Sequence, residues 1–203
     1  MDLAEYRVAV DRWLDDNAAG LTPDHTVTAT LDEQMAHLSL VKRRTFDAGW
    51  MRWGWPERVG GLGGSTLLRA YLGEALTVRD LVEPGIYSMT EVLAPTMIDY
   101  APPELAAAMV PRLLRGDETW CQGFSEPGTG SNLASLACRA TRAEDGWRVT
   151  GQKVWTSLAQ YAQRCVLLTR TGTPESAHRG ITALFVDMDT PCITVRPIET
   201  MHG

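Results

Sequence analysis

The chain has 203 residues, 44% hydrophobic and 22% charged, a composition that fits one globular domain or two small ones and excludes wholesale disorder or a fibrous repeat. Nineteen basic residues against 25 acidic ones give a net charge of −6 with no long Lys/Arg run, which argues against nucleic acid as a partner. Charges within Met1–Arg7 interrupt any secretory signal, and nowhere do about 18 apolar residues run together, so no membrane span is expected and a cytoplasmic location is.

From Leu3 to Gly116 apolar residues recur at helical spacing. A first helix is expected over Leu3–Asn17, with Leu3, Tyr6, Val10, Trp13 and Leu14 on one face; Asn17 and Gly20 stop it and Pro23 continues the loop. Thr30 and Glu33, three residues apart, form a capping box in which hydroxyl and carboxylate satisfy the first free amides of a helix running to about Gly49. Met35, Leu38, Val41 and Phe46 give that helix its buried stripe. A tight loop follows through Trp53-Gly54-Trp55-Pro56 and Gly60-Gly61-Leu62-Gly63-Gly64. It is not a phosphate loop, because no strand precedes it and no Gly-Lys-Ser/Thr follows. Ser65 caps the next helix, to about Arg79. Pro84–Met97 reads as helical with a break at Pro95, and Pro102-Pro103 open a helix over Glu104–Arg115 that Gly116 closes.

After Gly116 the period changes to that of strands: Thr119–Ser125, Leu136–Ala143, Trp147–Thr150, Arg164–Arg170, Ile181–Met188 and Ile193–Ile198. Glu144-Asp145-Gly146 supplies a hairpin turn, and Pro174 to Arg179 a longer polar connection. The connections are too short for helical crossovers, so an antiparallel arrangement is expected. The expected fold class is α+β, an all-helical domain over 1–117 followed by an incomplete antiparallel β-barrel or sandwich over 118–203. The last residues, Glu199–Gly203, offer neither a helix nor a polar tail. Cys121, Cys138, Cys165 and Cys192 lie far apart, with no C-x-x-C pair and no His at metal-ligand spacing; they read as reduced core thiols, and no metal site is expected.

Two segments carry candidate chemistry. In Trp120-Cys121-Gln122-Gly123-Phe124-Ser125-Glu126-Pro127-Gly128-Thr129-Gly130-Ser131-Asn132 a strand runs into a loop. Gly128 and Gly130 let backbone amides approach an anion, and Ser125, Thr129 and Ser131 add hydroxyl donors. On the residues alone a plain strand-to-loop turn is the favoured reading, because Gly and Ser are the commonest turn residues. In Gly151-Gln152-Lys153-Val154-Trp155-Thr156-Ser157, opposite the first segment if the hairpin folds as drawn, Trp155 and Ser157 fall on one face of a strand. A flat aromatic ring beside a hydroxyl suits a flavin; a core tryptophan is the competing reading.

The Ser-Glu-Pro-Gly-x-Gly-Ser-Asn run, the Asp-Gly hairpin, the Gly-Gln-Lys-x-Trp-x-Ser run and Arg170-Thr171 resemble, in order and spacing, the middle domain of acyl-CoA dehydrogenases. Trp53–Glu57 with Gly60-Gly61 resembles the family's helical-domain loop, and Pro111-x-Leu113-Leu114-x-Gly116 its approach to the β domain, so the likeness covers nearly the whole chain. The resemblance implies FAD contacts at Gln122, Phe124, Ser125, Gly130, Ser131, Trp155 and Ser157, with Ser131 also meeting an acyl-CoA. The chain departs from the family in having Ser125 where Thr is frequent and Asn132 where Asp is frequent, the latter removing a charge.

The family reaction removes a proton beside a thioester while the adjacent carbon passes hydride to flavin N5. Its base, by resemblance, is a glutamate in a C-terminal helical domain beyond Gly203, so no catalytic residue is assigned. Glu126 reads as a tie to backbone amides, and Glu91 as part of a solvated helix face. The resemblance further implies electron-transfer flavoprotein as acceptor and a homo-oligomer or heteromer at full length. The simplest account is a truncated product or partial sequence that binds FAD weakly or not at all alone. A non-catalytic partner subunit and a flavin oxidase or monooxygenase on the same fold are the alternatives.

Overall fold

The computed structural model describes residues 1–23 and 30–198. The expectation for Glu199–Gly203 lies outside the described residues. Two compact units are present, one over Met1–Glu118 and one from Thr119 onward.

The first unit is helical: α1 (Leu3–Asp16), the single turn α2 (Ala18–Leu21), α3 (Leu31–Asp47), α4 (Thr66–Thr77), α5 (Pro84–Tyr100) and α6 (Pro103–Arg115). Local chemistry sets most of the boundaries. Asp2 and Glu5 form a capping box at α1, and Thr30 and Glu33 form the expected one at α3. Ser65 Oγ accepts from Leu67 N at the start of α4, and Glu83 accepts from Ile86 N at the start of α5. Gly116 ends α6 in the left-handed conformation at φ 81°, where a Cβ would stand 3.0 Å from the Ser39 carbonyl oxygen. α6 packs against both α3 and α5, and α1 against α4, so Tyr6, Val10, Leu14, Val41, Leu72, Leu93, Val110 and Leu114 are buried.

The expected break at Pro95 does not occur. α5 runs through it to Tyr100, and α6 runs through Pro111 in the same way. A proline inside a helix forfeits one hydrogen bond and crowds the preceding turn; burial of Leu93, Ala94 and Met97 around Pro95 outweighs that loss. The glycine-rich loop is closed by its own backbone: Gly54 N donates to Gly63 O (2.8 Å), Gly63 N to Trp55 O (2.9 Å) and Leu62 N to Arg52 O (2.8 Å).

The second unit holds one five-stranded sheet: β1 (Trp120–Gly123), β2 (Arg139–Ala143), β3 (Gly146–Thr150), β4 (Arg164–Arg170) and β5 (Ile181–Asp187). β2 and β3 form the expected hairpin, and β4 and β5 pair antiparallel along their full length. The sheet is mixed, however, because β1 runs parallel to β4, with Trp120 opposite Arg164 through Gly123 opposite Leu167, and β2 meets β4 in parallel at Arg139 and Arg170. The forty residues between β1 and β4, hairpin included, serve as the crossover that no helix was available to make. No sixth strand forms over Ile193–Ile198, whose residues are exposed and outside the ladder. Cys121, Cys138 and Cys165 are buried free thiols, whereas Cys192 is exposed, contrary to its core reading. Among the described residues no helix is long and apolar enough to cross a membrane.

Candidate functional site

The two motif segments meet in the second unit. Val154 N donates to Ser125 O at 2.9 Å, and Lys153 Nζ reaches Phe124 O at 3.0 Å and Glu126 Oε1 at 2.8 Å. Glu126 and Thr129 exchange two backbone hydrogen bonds, 2.8 and 3.0 Å, which fold Pro127-Gly128 into a tight turn. Glu126 anchors that turn: Ala137 N donates to its Oε2 at 2.7 Å and Cys138 N to its Oε1 at 2.9 Å. Burial alone would raise this carboxyl's pKa, but Lys153 and the two amides offset it and hold the group below the ordinary carboxylate range. A fully engaged carboxylate of this kind ties loop to strand, as the sequence reading had it.

Gly128 and Gly130 face open space, with no atom within 4 Å of where a Cβ would stand. Ser131 and Asn132 are exposed beside them. A cavity of about 450 Å³ adjoins this loop, lined by Asn132, Ser135, Arg139, Arg170 and Pro174 among others. Arg170 is buried and donates to the carbonyl oxygens of Ala134, Leu136 and Ala177, so the resemblance motif around it is a clamp on the loop's far end. Gln122 lies within β1 opposite Val166.

The second segment departs from expectation. Residues 151–156 have no regular secondary structure, and Ser157 lies in a turn rather than on a strand face with Trp155. Trp155 has φ +56°, and Ser157 N donates back to Trp155 O at 3.1 Å, so the chain reverses within three residues and strand alternation is lost. The consequence is an exposed indole, 69% accessible, which the core-tryptophan reading does not accommodate. Next to it the Thr156 hydroxyl is buried without a hydrogen-bond partner. The sequence reading passed over Thr156 and gave Lys153 no role; the pairing of Lys153 with Glu126 was visible only as two charges in adjoining motifs. Phe124 and Ser125 are brought against this segment, while among the described residues no hydrogen bond joins Gly130 or Ser131 to it.

In the helical unit, Glu91 is not on a solvated face. Arg69 Nε stands 3.3 Å from its Oε2, its Oε1 is buried without a hydrogen-bond partner, and burial raises its pKa against the opposing pull of Arg69 and Lys42. Lys42, buried in α3, donates to Thr90 Oγ1 at 3.0 Å. The motif patterns gave no signal for this cluster, which forms only when α3, α4 and α5 pack.

Residues 5–117 match the family model described as acyl-CoA dehydrogenase, N-terminal domain, and residues 121–203 match that of the middle domain. The chain belongs to the acyl-CoA dehydrogenase family. It is 37% identical over 207 residues to the acyl-CoA dehydrogenase IpdE1 of Mycobacterium tuberculosis, covering 100% of this chain and 53% of that relative. Among solved structures, the ChsE4-ChsE5 complex from Mycobacterium tuberculosis aligns with a TM-score of 0.79 at 30% identity, over 100% of this chain and 52% of the matched one. A steroid acyl-CoA dehydrogenase, Tcur3481-Tcur3483, aligns at 0.75 and 28% identity, over 98% of this chain and 50% of the matched one. The chain thus spans about half the length of each of these relatives.

Proposed function

We propose that residues 1–203 supply flavin- and acyl-CoA-facing surface to an FAD-dependent acyl-CoA dehydrogenase that carries out α,β-dehydrogenation of a CoA thioester. The observation that carries this reading is the exposed Trp155 indole, held by a left-handed backbone beside the buried Thr156 hydroxyl, with its neighbour Val154 hydrogen-bonded to Ser125 just past the end of β1. An exposed tryptophan held out this way costs hydrophobic free energy unless something flat covers it. The donor set fits FAD: a ring face at Trp155, hydroxyls at Ser125 and Ser157, and open backbone at Gly128 and Gly130 for a polar edge or phosphate.

When bound, the flavin supplies hydride acceptance at N5. The residues of this chain then bind and orient: Gln122, Phe124, Ser125, Gly130, Ser131, Trp155 and Ser157 hold the cofactor, and Ser131 also meets the acyl-CoA. Glu126 takes no proton, because its lone pairs are committed to Lys153 and two amides. We assign the base to residues outside 1–203 and the electrons to an electron-transfer flavoprotein.

A second reading is favoured by one observation: the structural relatives include a complex of two differently named chains, ChsE4 and ChsE5. On that reading this chain contributes its surface to a heteromer as a non-catalytic partner. The experiment is to isolate the complete gene product, record its flavin spectrum and add a medium-chain acyl-CoA without oxygen. Bleaching supports the dehydrogenase; a bound flavin that bleaches only after a second subunit is added supports the heteromer; no flavin in either preparation sinks both.

A further inference from the structure

Cys121 in β1 and Cys165 in β4 stand directly opposite each other in the parallel pairing. Side chains so paired leave the sheet on the same face, and both thiols lie in one small buried cluster with Ala162, packed against Ala159, Leu167 and Met188. Adjacent strands are about 4.8 Å apart, within the Cα separation of about 4.4 to 6.8 Å that a disulfide spans. The two sulfurs are free and already in contact, the Cys121 thiol donating a hydrogen bond to the Cys165 sulfur.

The thiols are not equivalent. The bond from Cys121 holds the Cys165 thiol below its ordinary pKa against the opposing effect of burial, helped by the Gly123 amide and the Lys153 ammonium. Giving that bond, together with burial, pushes the Cys121 thiol up. Cys165 is therefore the nucleophile of the pair and Cys121 the thiol that resolves it. Gly123 puts no side chain over the Cys165 sulfur, where a Cβ would stand 3.2 Å from it. Cys121 is 0% and Cys165 5% exposed, so an oxidant has to be small. Hydrogen peroxide, little larger than water, meets that condition and a peptide disulfide does not.

We propose that Cys121 and Cys165 form a redox-active dithiol, which hydrogen peroxide converts to a disulfide joining β1 to β4. The Cys165 sulfur attacks one peroxide oxygen: the S–O bond forms, the O–O bond breaks, and the leaving hydroxide takes the thiol proton away as water. The Cys121 sulfur then attacks the Cys165 sulfur: the S–S bond forms, the S–O bond breaks, and the hydroxyl leaves with the Cys121 proton as a second water. One peroxide is reduced, two thiols are oxidised, and the chain loses two hydrogen atoms. The chemistry needs neither flavin nor CoA, so it stands apart from the dehydrogenase reading.

The test exposes the full chain, without flavin, to hydrogen peroxide, both as the parent and as Cys192→Ser, which removes the exposed thiol. Intact mass, the non-reduced peptide map and thiol titration after denaturation are read. Cys192→Ser is expected to lose the mass of two hydrogens, to yield a Cys121–Cys165 cross-linked peptide and to keep Cys138 as its one free thiol, all reversed by dithiothreitol. Cys121→Ser stops the reaction at a Cys165 sulfenic acid that dimedone traps. Cys121 and Cys165 still free in the parent when Cys192 is fully oxidised, or a bridge that involves Cys138, overturns the proposal. The parent's peptide map decides this without any substitution, so the result holds even where a variant fails to fold.

Discussion

Glu126 and Lys42 show how differently two buried charges are treated in one chain. Glu126, with Lys153 and two amides on its oxygens, has a folded pKa below the ordinary 4.5. Its contribution to stability is therefore complete above the unfolded value and lost as pH falls through the folded one. Glu126→Ala is expected to cost about 3 kcal/mol in urea unfolding at pH 7, because it strands Lys153 among buried atoms. Lys42 is the opposite case. Burial pulls its ammonium down from 10.5 to about 7, with Glu91 resisting. Between those two values the unfolded chain binds the extra proton, so this group makes stability rise with pH across the window, by at most about 1.4 kcal/mol per pH unit. Lys42→Met should flatten that rise when unfolding is compared at pH 7 and pH 10; an unchanged slope would show that Lys42 stays charged in the fold.

At the scale of elements, the decisive contacts are made by backbone. A Cβ on Gly61 would lie 2.0 Å from the Trp55 carbonyl oxygen, so the loop must open to admit one. Gly61→Ala is expected to lower thermal stability by about 2 kcal/mol or more, whereas Gly63→Ala meets no atom within 4 Å and pays only for its φ of +68°, about 1 kcal/mol. Helix ends were legible because their causes are local: the Thr30–Glu33 box, Ser65 and Gly116 each act within a few residues. What escaped was non-local. Pro95 reads as a break until the burial of Leu93, Ala94 and Met97 is known, and the parallel β1–β4 pairing depends on a partner 44 residues away, as for Trp120 and Arg164. Trp155 reads as a strand residue until its positive φ is seen, and that angle is imposed by the turn into Ser157.

At the scale of the molecule, the ordered motifs over residues 53–171 carried the family, since several weak matches in one order constrain each other as no single one does. They did not carry the cluster of Arg69, Lys42 and Glu91, because those residues belong to three helices and to no motif. The central claim is that the Trp155 turn faces a flavin. It is tested most directly by titrating FAD against the full chain and its Trp155→Ala variant, following flavin fluorescence anisotropy. The account predicts weak but saturable binding to the parent and a loss of about tenfold or more in the variant, as expected when an aromatic platform is removed. Equal binding by both proteins would contradict it.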